Sequence, residues 1–430
     1  MEESFDAIIV GGGLSGLAAA YTLAAAGKSA LVIERGDYCG AKNVTGGRMY
    51  LPPIRGLFPE IWDKAPLERA IVHEELCMIS ATGSMLMRYS NEAVAKEPYE
   101  SYTVLRANFD RFFAKRAERK GAQIITKAKV ENLCFEGDRI KGVVVGGEKL
   151  YANVVIICDG ALSLIAEKAG LRKPGNKKDF AVGIKELIEL DEERVNERFN
   201  VVDGQGAARL FMGDITRGKF GGGFIYANKG SVSLGLVLGI ADLMDLEPAV
   251  AAPDLLDAFK KRSEVASIIK GGQTVEYSAH VIPEGGYKKL SAFSGNGVLV
   301  CGDAAGLALN AGITVRGMEY AMASGYYAAQ AVIKAAESNF FTAEGLKCYD
   351  RMLDESFIIK DHLTYKGTPH ALENHRLYTY YPEFVTNLLG NLYSMPEGPK
   401  QRAVQSVKKA VTPGVIWNIL RKDLGGLSKL

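Results

Sequence analysis

The chain has 430 residues, 47% hydrophobic and 24% charged, with 52 Lys/Arg against 50 Asp/Glu. That composition excludes a disordered chain, which could not bury enough apolar surface, and the net charge of +2 provides no overall field for nucleic acid. The 48 glycines follow no collagen-like period and point to tight turns and close approach of backbone to a ligand.

The chain opens Met1-Glu2-Glu3, acidic where a secretory signal needs positive charge. Its longest uncharged run, residues 7–27, reaches 21 residues, long enough to raise a transmembrane helix. Gly11-Gly12-Gly13 breaks that run, and a strand–turn–helix reading explains it better. Residues 5–10 read as a strand, 14–26 as a helix rich in small residues and 30–34 as a second strand, a βαβ unit that predicts a parallel sheet. The turn is Gly11-x-Gly13-x-x-Gly16, and Glu34 follows Gly13 by 21 residues. In this context the pattern is a strong dinucleotide signal. Gly11 permits the tight turn, Gly13 lets the backbone approach a pyrophosphate and Gly16 allows close helix–strand packing. Glu34 can accept hydrogen bonds from a ribose. This motif alone does not separate FAD from NAD.

Downstream, residues 73–90 predict a hairpin around Thr82-Gly83-Ser84, and 108–120 a helix with apolar Phe109, Phe112, Phe113 and Ala117. Strands follow at 124–125, 129–135, 140–145 and 154–158. Between about 180 and 282 the pattern becomes β-rich, interrupted by one helix near 253–263. A strand returns at 298–301, a long helix runs from about 314 to 338, and 342–430 is helical and aromatic-rich. These elements predict an α/β Rossmann domain, discontinuous over 1–72, 101–175 and 283–341. A mostly antiparallel, β-rich substrate domain is inserted at 73–100 and 176–282, and a helical C-terminal region covers 342–430. The six cysteines lie at least 24 residues apart, with no ligand cluster, and read as buried hydrophobes of a reducing, cytoplasmic compartment. No Ser-His-Asp arrangement, HExxH or obvious pair of carboxylates is present, which fits chemistry carried by a cofactor.

Two later segments decide the cofactor. Residues 155–160, ending Asp159-Gly160, resemble the second fingerprint of FAD proteins with the glutathione-reductase-type fold. Residues 297–306, containing Gly302-Asp303, resemble their Gly-Asp fingerprint. The resemblance implies that Asp303 holds a ribityl hydroxyl, that Asp159 and Gly160 stand near the FAD, and that Arg106 contacts it. Four further segments are Gly40-Ala41-Lys42-Asn43-Val44-Thr45-Gly46-Gly47-Arg48, Phe220-Gly221-Gly222-Gly223, Pro283-Glu284-Gly285-Gly286 and residues 310–317. Together they look like the FixC type of electron transfer flavoprotein–quinone oxidoreductase, across nearly the whole chain.

That resemblance implies FAD held by Gly11, Gly13, Leu14, Ser15, Gly16, Glu34, Arg35, Lys42, Thr45, Gly46, Arg48, Arg106, Val130, Asp159, Gly160, Gly302, Asp303, Gly312 and Ile313. It implies a quinone head group against Gly221 and Gly222, where a β-bulge is the blander explanation. The partners implied are the electron transfer flavoprotein alpha and beta subunits, a ferredoxin-like iron–sulfur subunit and a membrane quinone, menaquinone or ubiquinone, in an assembly that can bifurcate electrons. Single-chain members carry a cysteine-ligated [4Fe–4S] cluster in the C-terminal part. This chain has only Cys348 there, so no metal or iron–sulfur cluster is expected on this chain alone.

The catalytic proton donor stays unassigned; Tyr226, Tyr287 and His280 are candidates that more simply read as structural. Gly312 is expected to start the long helix, whose N–H groups would face the flavin. Lys42 is expected to place positive charge near the flavin, and a covalent flavin on Cys39 is disfavoured. Residues 399–430 carry seven Lys/Arg and one acid, Asp423, interleaved with apolar residues such as Ile416, Trp417 and Leu420. A peripheral attachment to the cytoplasmic face of the membrane and a helix docked on another subunit carry comparable weight. The rival readings are a geranylgeranyl-reductase-like flavoenzyme, an aromatic hydroxylase of the same fold, and a relay subunit that never meets quinone.

Overall fold

The computed structural model describes residues 4–43, 47–202 and 204–429. Its first sheet runs Ser294–Gly295, Val298–Val300, Glu148–Ile157, Ser4–Val10, Ala30–Ile33, Gln123–Ile125, with the hairpin Val130–Glu136/Arg139–Val145 paired onto Glu148–Ile157. Its central pairings are parallel. Such strands are covered on both faces, which is why residues 7–10, 30–33 and 154–157 are unbroken apolar runs. The register brings Val10 level with Ile33 and Ile157, and Ile157 level with Val300. Everything that follows those residues, at 11–13, 34, 158–160 and 301–303, therefore collects at one carboxyl edge, where open parallel sheets bind ligands. The helix Leu14–Ala25 packs there between Met318–Glu337 and Arg106–Lys120.

The second sheet has nine strands, all antiparallel except that Gln205–Gly213 runs parallel to Leu67–Ile79. Alternation divides its faces. Ile184, Phe211, Ile225, Leu234 and Leu236 form an apolar core with Val195, Phe199, Phe259 and Val265 of the helices Glu192–Phe199, Ala252–Lys261 and Ser263–Ile269. The opposite face carries Glu74, Lys185, Phe224, Tyr226 and Ser233 along registered rows. His280 on that face lies within electrostatic reach of Asp303 and Arg106, so the polar face turns toward the crevice of the first sheet.

The α/β class, the β-rich second unit, the hairpin after residue 73 and the helical C-terminal region are all present. Three details differ from expectation. The second sheet already includes Gly47–Tyr50, Leu67–Ile79 and Ser101–Val104, so its membership does not begin at 73. The helix expected near 253–263 is present as Ala252–Lys261, but it is not alone in the β-rich stretch: Ser263–Ile269 follows it after extended Arg262, and Glu192–Phe199 and Ile240–Met244 precede it. The long helix starts at Met318 rather than 314. Val315–Arg316 pair as a strand with Leu309–Asn310, a conformation that β-branched Thr314 and Val315 favour.

The C-terminal helices are seated by buried polar contacts. Tyr349 donates to Val300 O at 3.0 Å, and Asp361 takes Arg316 at 2.6 Å and the Tyr320 hydroxyl at 2.9 Å. Near the end of the chain, the fully buried Asp423 side chain accepts from Asn374 (2.8 Å), Arg376 (3.0 Å) and Tyr381 (2.9 Å). Burial opposes its ionisation, but those donors hold it below the usual carboxylate range. Ile416, Trp417 and Leu420 remain exposed around this latch. Among the described residues no helix is long and apolar enough to cross a membrane.

Glu75 tests the core of the second sheet. Its buried carboxylate takes Arg88 Nε at 2.6 Å and Arg209 Nε at 2.5 Å. Glu75→Ala leaves two guanidinium groups without their shared counter-charge, and is expected to cost about 3–5 kcal/mol, read as a lowered urea midpoint.

Candidate flavin and quinone site

The glycine turn is built by contact with its neighbours. Gly11 sits at φ +105°, and a Cβ there would lie 2.4 Å from Cys158 O. At Gly16 a Cβ would lie 2.0 Å from Gly11 O, so helix and turn touch backbone to backbone. Gly13 differs: it caps the helix in extended conformation, and its missing Cβ would face open space, with only Asn43 Nδ2 at 3.9 Å. The first N–H groups of the helix, from Leu14, Ser15 and Gly16, have no intrahelical acceptor and point into that space. A pyrophosphate fits this cradle by charge and by clearance.

Glu34 does more than face a ribose. Its Oε2 accepts Gly12 N–H at 2.7 Å and its Oε1 accepts Gly36 N–H at 2.6 Å, so the carboxylate clamps the glycine turn to the end of the second strand. Each oxygen keeps a further lone pair for a ribose hydroxyl. Arg35 and Lys42 are exposed at the rim. Val130 opens the strand Val130–Glu136 with its side chain in the core, leaving only its backbone to meet a ligand. Thr45 and Gly46 lie outside the described residues.

Arg106 begins the helix Arg106–Lys120 and grips Asp110, one turn on, with two bonds of 2.8 Å. Asn43 donates to the same carboxylate at 2.8 Å, tying the 40–43 loop to this helix. Arg106 is thus not a surface ion pair; it is partly buried within electrostatic reach of Asp303. Asp303 lies in the turn Gly302–Ala305, where burial pushes its carboxyl up while His280, Arg106 and Arg172 pull it down. Burial pushes His280 down, as the neighbouring Arg106 and Arg35 also do. Gly302 lies against Ser15: a Cβ there would come 2.8 Å from Ser15 Oγ. Asp159 spends its oxygens locally, on the Ser163 hydroxyl at 2.5 Å and Ile165 N–H at 3.3 Å, where it holds the start of Leu164–Lys168 beside Gly160.

Gly312 belongs to the tip between Leu309–Asn310 and Val315–Arg316 and donates its N–H to Asn310 Oδ1 at 3.0 Å. The expected helix N-terminus at Gly312 is therefore corrected: the first free helical N–H groups are those after Gly317. Ile313 is 71% exposed.

The glycine run lies in the strand Gly221–Ala227. A Cβ on Gly221, at φ +152°, would come 2.3 Å from Val237 O, and one on Gly222 would come 2.8 Å from Phe211 O. Neighbouring strands alone thus demand glycine at both positions. Four residues beyond Gly222, Tyr226 stacks on Phe224 at 5.0 Å, and burial raises its phenol well above the usual range. Beside it Arg48 forms a bidentate pair with Glu74, 2.6 Å on one side, and lies 4.5 Å over the Tyr50 ring. Tyr287 is a partly exposed residue of the turn Tyr287–Lys289. The Arg48–Glu74 pair escaped the sequence reading because the partners lie 26 residues apart on different strands. The Arg106–Asp110 pair was readable from its i, i+4 spacing on a helix. All six cysteines are free and buried.

These features define an FAD-dependent oxidoreductase. Residues 4–196 match the family model of an FAD binding domain, and residues 180–282 match that of the ubiquinone-binding part of ETF-QO. The chain is 42% identical over 433 residues to Protein FixC of Escherichia coli K12, covering 100% of both. It is 38% identical to a probable electron transfer flavoprotein-quinone oxidoreductase of the same strain, again covering 100% of both, and 35% identical to Protein FixC of Bradyrhizobium diazoefficiens over 98% of each. The chain belongs to the FixC-type family of electron transfer flavoprotein–quinone oxidoreductases. Among solved structures, a geranylgeranyl bacteriochlorophyll reductase-like protein from Thermoplasma acidophilum superposes with a TM-score of 0.72 at 21% identity, covering 98% of this chain and 100% of that one. At that identity the likeness concerns the fold.

The two fingerprint glycines should respond differently to substitution. Gly13→Val is expected to fold with a near-wild-type melting temperature yet lose FAD on gel filtration. Gly16→Val, with its Cβ 2.0 Å from Gly11 O, is expected to lose the fold itself, read by far-ultraviolet circular dichroism.

Proposed function

We propose that this chain takes electrons relayed from an electron transfer flavoprotein and passes them through FAD to a membrane quinone. The observation that carries the reading is that residues 180–282, matched by the ubiquinone-binding model, supply five of the nine strands of the sheet whose polar face turns toward the flavin crevice. In this reading the N–H groups of Leu14 and Ser15 hold the pyrophosphate, and Glu34 holds the adenosine ribose. Arg106 and Asp303 line the ribityl path, and the Gly312 turn meets the isoalloxazine. Bound FAD supplies the two-electron chemistry. The protein excludes water and orients the two redox partners. Gly221, Gly222 and Tyr226 bound the quinone head group on the sheet side.

Since this chain has a single C-terminal-region cysteine, Cys348, and it is buried, the reading assigns the iron–sulfur step to a separate ferredoxin-like subunit. The electron transfer flavoprotein alpha and beta subunits complete the assembly, with electron bifurcation as its cellular use. The basic, apolar surface around Trp417 suits the cytoplasmic face of an anionic membrane.

Anaerobic flavin spectroscopy on the purified chain tests the redox reading. The oxidised flavin is expected to stay oxidised with NADH or NADPH, and the dithionite-reduced flavin to reoxidise rapidly with a soluble menaquinone or ubiquinone analogue. Reduction by NADPH with no oxidation by quinone would favour an isoprenoid reductase or hydroxylase instead. For the membrane contact, Trp417→Ala/Leu420→Ala spares the Asp423 latch and removes two exposed apolar groups. It is expected to weaken sedimentation with anionic liposomes roughly tenfold or more, at about 1.5–3 kcal/mol per buried side chain. Unchanged sedimentation would assign this face to another subunit.

A further inference from the structure

The Pro283-Glu284-Gly285-Gly286 segment takes no part in the flavin cradle described above. Its backbone is held from outside: Glu284 N–H donates to Asp179 O at 2.9 Å. A Cβ on Gly285 would come 2.5 Å from Lys289 Cβ, and one on Gly286 would come 2.6 Å from Pro369 Cγ. The Glu284 side chain is left between three surroundings. The first is a cavity of about 330 Å³, which it lines together with Phe180, Phe220 and Pro369. The second is Asn310, whose side chain hydrogen-bonds the Glu284 carboxyl while its Oδ1 takes Gly312 N–H at 3.0 Å. The third is Tyr378, which feels the Glu284 charge and donates its hydroxyl to Leu372 O at 2.9 Å. One carboxyl thus lines a polar cavity that also reaches Phe220, the residue before Gly221, adjoins Asn310 of the turn assigned to the flavin, and lies within electrostatic reach of Tyr378.

Quinone reduction consumes two electrons and two protons. An anionic two-electron-reduced flavin carries one of those protons, so a group of the protein must carry the other. We propose that Glu284 carries it, taking the proton from bulk solvent through water in the cavity and giving it to the quinone oxygen on the Gly221 side. The inference rests on the quinone reading above. In the step the Glu284 O–H bond breaks and a quinol O–H bond forms. The two electrons and the other proton come from the reduced flavin, quinol departs, and the Glu284 carboxylate regains a proton from a hydronium ion or buffer acid of the bulk solvent, relayed by cavity water so that no hydroxide is left behind.

The surroundings suit this task. Burial pushes the Glu284 carboxyl up to about 7, against the pull of the Asn310 bond, so the group both holds and releases a proton near neutrality. The charged groups around it are Lys177 and Lys178 from the turn Lys177–Asp179, Lys219 from the loop before the glycine run, and Asp242 and Asp245 from the helix Ile240–Met244 and its end. Glu373, His375 and Tyr378 come from the C-terminal region. His375 is fixed to Gly218 O at 2.9 Å, and Lys177 stands 3.5 Å from Asp245. These groups make the cavity mouth polar, which keeps it wet.

Stopped-flow oxidation of the photoreduced holoprotein tests the proposal, with a soluble quinone analogue and with ferricenium, which accepts electrons without protons. Glu284→Gln is expected to slow oxidation by quinone about 10²-fold and to leave oxidation by ferricenium unchanged. In the wild type the quinone rate should fall as pH rises through about 7, and Glu284→Asp should restore part of the rate with a displaced profile. A second readout needs no turnover. A carboxyl whose folded pKa is raised loses stability as pH rises from its unfolded value, about 4.3, to its folded value. The wild-type melting temperature should therefore fall, relative to Glu284→Gln, between pH 4.5 and pH 7. Wild-type quinone rates and an unchanged profile in Glu284→Gln would overturn the proposal, as would parallel melting curves. A wild-type flavin that ferricenium oxidises and quinone does not would overturn the quinone reading, and this inference with it.

Discussion

Everything in this molecule hangs on how closely other backbone can approach one turn of helix. The first turn of Leu14–Ala25 is pressed from three sides at points where only glycine fits. Gly16 meets the turn at Gly11 O, Gly302 meets Ser15 Oγ, and a Cβ on Gly325 of the long helix Met318–Glu337 would come 2.0 Å from Ser15 O. These glycines come from separate parts of the chain, yet two of them settle against the same residue, Ser15, and the third against the turn just before it. The result is a helix N-terminus whose first residues, Leu14, Ser15 and Gly16, are buried, while Gly13 beside them stays partly open. Its unsatisfied N–H groups are directed at the open side by exclusion, and Glu34 locks the loop that leads into it.

The second sheet answers that opening with a division of labour between its faces. One face is an ordinary apolar core under three helices, and it needs no reference to function. The other carries Glu74, Lys185, Tyr226 and His280, whose polar or charged groups cost free energy to desolvate unless a ligand or a neighbour meets them. Lys185 illustrates the cost. It is fully buried, its ammonium has no hydrogen-bond partner among the described residues, and burial pushes its pKa down to about 8. A sheet selected for stability alone would carry an apolar residue there.

The legible parts of the sequence were those with local causes. The Gly11–Gly16 spacing, the apolar parallel strands and the Asp303 turn follow from short-range sterics and burial, and each stands at the same carboxyl edge in the structure. The helix start was misplaced by four residues, because the pairing of Val315–Arg316 with Leu309–Asn310 is tertiary and outweighs the helical composition that follows. Asp159, readable by resemblance as a flavin neighbour, has both oxygens engaged by Ser163 and Ile165 within its own loop. Arg48–Glu74 and Glu284–Asn310 were invisible for a different reason: each joins residues from separate segments, and nothing in either segment names the other. The glycine run shows the converse hazard. It reads as space cleared for a ligand, whereas the atoms nearest to the missing Cβ groups are carbonyl oxygens of adjacent strands.

The Asp423 latch has an electrostatic consequence for the end of the chain. Residues 399–430 contain seven cationic side chains and a single anionic one, and that one is withdrawn into the protein by Asn374, Arg376 and Tyr381. All seven cations stay exposed. Among the described residues, every charged side chain that this segment exposes is therefore cationic. Its attraction to any anionic partner decays over the Debye length, about 8 Å at physiological ionic strength and about 3 Å at 1 M. Contact made through Trp417 and its apolar neighbours has no such dependence. The same segment thus holds its partner by two grips that ionic strength separates.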